Sequence, residues 1–255
     1  AEAAAIPGPG GDLAVLDAEL DARTPSPAQR SASRAQGRAA LRAVGLVGTP
    51  ALSGLDIGRE LRKRGVAVAT PDALRALDGA ERARSVVVVQ DAFTSHYETR
   101  LVLDVLDLVR LLGFTPWLAP FRPNGKALHV HGFLGAFGRV AAANAAALRE
   151  LAATGVDLVG IDPSMTLTFR AEYAEALGGR DLPEVLLLQE WLAKRAVNEP
   201  RAAAAQHYRL LPHCTERTTA TAALRDWQRV FARHGLQLDI LAAGCCGMAG
   251  TYGHE

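Results

Sequence analysis

The chain has 255 residues, enough for one sizeable domain or two small ones. Apolar residues make up 49% of it but aromatic residues only 5%, so a core must be built from Ala, Leu and Val. Basic residues number 28 against 27 acidic ones, a net charge of +1 that excludes a field able to steer nucleic acid or an anionic membrane. No apolar run approaches the roughly 18 residues of a membrane span, so no transmembrane segment is expected. The opening residues are acidic and Ala-rich, without the basic and apolar regions of a secretory leader, and the expected location is the cytoplasm.

In chain order, residues 1–50 read as a linker-like, flexible segment, interrupted by Pro7, Pro9, Pro25 and Pro27 and lacking an apolar stripe. A short helix over 13–20 is the one element it offers. From Gly54 the texture changes. Ile57 and Leu61 suggest a short helix feeding an extended segment at Val66 and Val68, and Thr70-Pro71-Asp72 starts another helix. Val86-Val87-Val88-Val89 is apolar on both faces, as a central strand of a parallel sheet must be. Leu101, Val105, Leu108 and Leu112 repeat at helical spacing up to Gly113, and 114–118 is a strand. A helix over 133–151, a strand over 156–161 and a helix over 185–196 follow. The last unit is a strand at 208–211, a helix over 222–233 and a strand at 236–242. This alternation predicts an α/β fold with a mostly parallel sheet. It divides into a first α/β block at 51–206 without cysteines and a second block at 207–255. Their strand–helix–strand layouts are alike, which suggests an internal duplication.

The three cysteines are an odd count, and two are adjacent, which fits a disulfide framework badly. Cys214 follows the strand at 208–211, and Cys245-Cys246 follow the strand at 236–242. If those strands are parallel neighbours, their carboxyl ends share one edge and the three thiols converge there. Gly244 and Gly247 flank the pair, remove side-chain bulk and permit close backbone approach to a metal group. Three readings stay open: an iron–sulfur site, a zinc site or metal-free interaction domain docking on a catalytic partner, and a thiol redox pair.

Cys214 followed by Cys245-Cys246-Gly247 resembles the cysteine-rich CCG module of iron–sulfur oxidoreductase subunits. The surrounding wording is more specific: 91–95 DAFTS, 123–126 PNGK, 131–134 HGFL, 160–163 GIDP, 213–216 HCTE and 244–255 GCCGMAGTYGHE. Together they resemble the C-terminal region of large FAD-linked, iron–sulfur oxidases of the D-2-hydroxyglutarate and D-lactate dehydrogenase type. The resemblance implies duplicated CCG blocks and a 4Fe-4S cluster held by Cys214, Cys245 and Cys246, with His213, Gly244, Gly247 and Thr251 around it. It implies a further cysteine downstream of Glu255, so the second block is expected to be truncated here and its ligand set incomplete. It also implies FAD bound elsewhere, and as partners an FAD-binding domain, a ferredoxin-like domain and a downstream electron acceptor. Peripheral association with the inner membrane is its alternative to a purely cytoplasmic location. The fragment alone is expected to be inactive. In the first block the cysteine positions are expected to hold other residues, Phe93 and the 129–132 stretch, leaving a structural shell.

Other residues carry weaker signals. His129 and His131 alternate, so on an extended segment both would face one side and serve as alternative ligands, as could His254. His213 could donate to a cluster sulfur or supply a fourth, nitrogen ligand to zinc. Asp91 and Asp162 each follow a strand, where aspartate caps the next helix. Lys126 sits in an Asn-Gly-Lys turn, and Trp191 and Trp227 fall among apolar neighbours as core residues.

Overall fold

The side-chain oxygens of Asp56, Thr70 and Asp78 accept backbone N–H groups and so start three short helices. These are α1 (Ile57–Arg64), α2 (Pro71–Arg75) and α3 (Gly79–Ala83). The computed structural model describes residues 52–179, 182–195 and 206–242. The chain divides into the units Ala1–Pro50 and Ala51–Glu255, and every described residue lies in the second. The linker-like segment 1–50 and its helix at 13–20 therefore lie outside the described residues.

β1 (Ser85–Val89) is buried along its whole length. Its period of two sends Val86 and Val88 into one apolar cluster and Val87 and Val89 into the other. A strand covered on both faces has to be central. β2 (Thr115–Leu118) and β3 (Asp157–Gly160) flank it in parallel, and β4 (Val185–Leu187) pairs beyond β3. The order β2-β1-β3-β4 is all parallel. Val68 bridges Leu118, so the expected extended segment adds to the edge at β2.

Parallel neighbours require crossovers, and helices supply them. After α4 (Ala92–His96), α5 (Thr99–Leu111) turns Val102, Leu103, Val105, Leu106 and Val109 inward. Gly113, at φ 84°, ends it as the sequence predicts. After α6 (Lys126–Val130), α7 (Leu134–Ala152) buries Phe137, Ala141, Ala145, Leu148 and Leu151 on the opposite face of the sheet. β3 leads into α8 (Pro163–Thr168) and α9 (Glu172–Ala176).

The helix expected over 185–196 is shorter than predicted. Val185–Leu187 pairs with Leu158, Val159 and Gly160 as β4, and only Leu188–Lys194, α10, is helical. The run Val185-Leu186-Leu187-Leu188 is apolar throughout, so periodicity cannot separate buried strand from buried helix. The turn is fixed by Glu190, which accepts the Leu187 N–H at 2.9 Å.

The second sheet is small. β5 (His207–Leu210) and β6 (Gln237–Ile240) pair in parallel, with α11 (Cys214–Thr219) and α12 (Thr221–Arg233) between them. α12 packs on α10 and β6. Its Val230 joins the cluster containing Trp191, and Trp227 packs against it. Arg233 donates to the carbonyls of Leu192 and Ala193, at 3.1 and 2.7 Å, and so caps the end of α10. Among the described residues, no helix is long and apolar enough to cross a membrane.

Candidate metal centre

Pro212 and the extended backbone of His213 place Cys214 as the first residue of α11. The His213 ring starts that helix: its Nδ1 accepts the Thr215 N–H at 3.2 Å. Glu216, the third residue of α11, is buried and accepts from the Gln189 side-chain amide. Cys214 is partly exposed with a free thiol, and its Sγ lies 4.0 Å from His213 Nδ1.

This arrangement decides the chemistry open to His213. An Nδ1 that accepts a hydrogen bond carries no proton, so in the neutral ring the proton is on Nε2. His213 is therefore set up as an Nε2–H donor. Metal ligation through Nε2 would require the proton on Nδ1, against the Thr215 N–H. With Nδ1 taken by the cap, Nε2 is the ring nitrogen left to meet another partner.

β5 and β6 are parallel neighbours from His207–Gln237 to Leu210–Ile240, and the Leu241 N–H continues the ladder to Leu210. The carboxyl ends of the two strands thus start at one edge, roughly 5 Å apart. Cys214 follows the first end. Cys245 and Cys246 follow the second in sequence but lie outside the described residues, as do Gly244, Gly247, Thr251 and His254. Among the described residues, no group of three His, Cys, Asp or Glu side chains is placed to hold a metal ion.

The first block repeats the layout of the second. In each, a strand leads to a short helix, a 13-residue helix (α5 or α12) and a four-residue parallel strand (β2 or β6). Ala92 opens α4 as Cys214 opens α11, so Ala92, rather than the expected Phe93, stands at the first cysteine position. Counted along the sequence from Leu118 and Ile240, the partners of Val88 and Leu210, Pro123-Asn124-Gly125 is as far on as Cys245-Cys246-Gly247, which lie outside the described residues. Asn124 is buried and bonded to Met165, so the first block's counterpart is filled by packing.

His129 and His131 are not the pair the sequence suggested. Residues 126–130 form α6 instead of an extended segment, so positions two apart point roughly 200° from each other. His129 lies against the Phe137 ring at 5.0 Å, while His131 is exposed past the helix end.

Asp91 and Asp162 cap α4 and α8 through N–H bonds from Thr94 and Met165, both 2.8 Å. They sit at the carboxyl ends of β1 and β3, where the strand order reverses and a ligand crevice is expected. Burial pushes the Asp91 carboxyl above its ordinary range, and the Asp162 charge adds to this against the Thr94 hydrogen bonds. Lys126 is ion-paired with Glu172. A cavity of about 150 Å³ lies near the same edge, lined by Val89, Gln90, Ala119, Arg122, Asn144 and Phe169 among others.

Sequence reasoning missed Glu216 and Gln189. Both are buried, and Gln189 Nε2 donates to the Glu216 carboxylate. The one available signal was Glu216 at the third helical position after His213.

The chain is similar to part of several bacterial dehydrogenases. It is 50% identical over 212 residues to the D-2-hydroxyglutarate dehydrogenase of Pseudomonas putida. It is 42% identical over 214 residues to that of Escherichia coli, and 37% over 222 residues to that of Haemophilus influenzae. Each match covers 83% of this chain but 21 to 22% of the relative, so the chain spans about a fifth of the length of the curated relatives it matches. No family model matches the chain. No solved structure matches it significantly.

Proposed function

We propose that this chain is an iron–sulfur electron-transfer module of an FAD-dependent oxidoreductase. The whole protein oxidises a D-2-hydroxy acid, of the 2-hydroxyglutarate or lactate type, to the 2-oxo acid. The observation that carries the module reading is the parallel pairing of β5 and β6, which starts the Cys214 connection and the Cys245-Cys246 connection from one edge. The similarity to D-2-hydroxyglutarate dehydrogenases supports the reaction class.

The residues fit a 4Fe-4S group. Cys214 is an accessible, unpaired thiol at a strand edge, and from Ala242 the chain reaches Cys245 within about 10 Å. Cys214, Cys245 and Cys246 would hold the group as thiolates, with a fourth ligand from the further cysteine that the resemblance implies. When bound, such a group supplies one-electron transfer between a flavin and an acceptor. His213 would hold the start of α11, and with it Cys214, through the Thr215 N–H. FAD belongs to another part of the same protein or to a partner chain, together with the ferredoxin-like domain. Turnover by this chain alone is not expected.

Anaerobic incubation of the chain with iron and sulfide tests this. Broad visible absorption is expected, and it should be lost in the Cys214→Ser/Cys245→Ser/Cys246→Ser variant. Stoichiometric zinc without iron after anaerobic purification would overturn the cluster and favour a zinc-bound docking domain.

A further inference from the structure

α11 carries the candidate ligand Cys214, yet its only buried residue is a carboxylate, Glu216. A six-residue helix without a buried apolar side chain has little hydrophobic anchoring. Glu216 is 3% exposed, and a carboxylate at that depth must be met by donors. The Gln189 side-chain amide, from α10, donates to it at 2.5 Å. α10 and α12 pack on each other and share the core with β1. The carboxylate therefore ties the first turn of the thiol-bearing helix to α10, which packs in the core.

We infer that Glu216 is the positioning residue for Cys214, clamping the thiol at the β5–β6 edge through its bond with Gln189 of α10. The inference deepens the electron-transfer reading and rests on Cys214 being a ligand. The geometry of the clamp itself needs no metal. Glu216 touches no reacting group; it acts by fixing α11, two residues downstream of the thiol.

The test uses the full chain with Cys245→Ser and Cys246→Ser, leaving Cys214 as the only thiol. Its alkylation rate by iodoacetamide is compared in this background and in added Glu216→Ala, Gln189→Glu and Gln189→Glu/Glu216→Gln, with folding followed by circular dichroism. Glu216→Ala and Gln189→Glu, which respectively remove the acceptor and oppose two carboxylates, should raise the rate about tenfold. The exchanged pair restores an amide facing a carboxylate and should bring the rate back to within about twofold of the starting background. In the three-cysteine chain, reconstituted with iron and sulfide, Gln189→Glu should shift the reduction potential, and the exchanged pair should restore it.

An unchanged alkylation rate in folded Glu216→Ala and Gln189→Glu, or no recovery in the exchanged pair, would overturn the clamp. Should Glu216→Ala fail to fold, Gln189→Glu and the exchanged pair carry the same test. If alkylation follows the expected pattern but no iron binds, the clamp stands and the cluster reading falls. If iron binds while alkylation ignores all variants, the cluster reading stands and the clamp falls.

Discussion

Asp91 is 5% exposed and faces the charge of Asp162, yet it caps α4 through the Thr94 N–H and also accepts the Thr94 hydroxyl. Its carboxyl is raised above the ordinary value of 3.8, chiefly by burial and further by Asp162, with the Thr94 hydrogen bonds opposing. A raised acid pKa means that the folded state binds the proton more tightly than the unfolded chain. The ionised carboxylate thus costs stability above the folded pKa, and that cost fades as pH falls toward 3.8. Asp91→Asn keeps an acceptor for the Thr94 N–H and removes the charge. Urea unfolding should show the Asn variant gaining on the parent as pH rises from about 4 to 7. Asp91→Ala loses the charge as well and should show the same pH slope, offset about 1 kcal/mol below Asp91→Asn because the cap is also gone. A stability difference between Asp91→Asn and the parent that is flat with pH would contradict the burial argument. The cap itself was legible in the sequence, since Asp directly after a strand is a helix-starting signal. The charge environment was not, because Asp162 is brought alongside only by the pairing of β1 with β3.

At the scale of elements, close approach decides what local sequence leaves open. Gly160 ends β3 where α8 turns back over it, and a Cβ built there would lie 2.0 Å from Thr166 Oγ1 and 2.8 Å from its Cγ2. Thr166 is itself fixed, buried and donating to the Asp162 carbonyl at 2.7 Å. Gly160→Ala should therefore destabilise the chain by about 1–3 kcal/mol, read from the urea midpoint. Gly160→Ala combined with Thr166→Ala, which removes both Oγ1 and Cγ2, should recover part of the loss. No recovery would place the cost in the backbone of β3 instead. The strand β1 and the helices α5 and α7 were readable because a four-valine run and a sustained 3.6-residue period each admit one interpretation. β4 was not, because three buried apolar residues ahead of a helix look like its first turn. What separates them is pairing with Leu158, Val159 and Gly160, a contact nearly thirty residues away.

For the whole described structure, the question is whether the β5–β6 unit stands by itself or depends on the larger sheet. Taken as sequence, 207–255 reads as a second block, and its strand–helix–strand layout supports that division. Its core does not close on itself, since β5 and β6 bury little and α12 places Val230 against the cluster that also covers Val86 and Val88. Arg233 and the Glu216 clamp fasten α12 and α11 to α10 with polar contacts. None of these ties was visible in advance, because each joins residues that only the tertiary fold brings together, such as 189 with 216. If the small sheet draws its stability from the large one, both should melt together. Thermal unfolding followed by far-ultraviolet circular dichroism, and by the onset of full Cys214 alkylation, should then give one midpoint. Val230→Ala removes two buried methyl groups at the junction and should cost about 2 kcal/mol. That corresponds to a drop of roughly 4–8 °C, and the two signals should fall together. Early exposure of Cys214 with the dichroism midpoint unchanged would mean that the thiol edge opens independently of the sheet. A ligand held there would then be lost before the fold is.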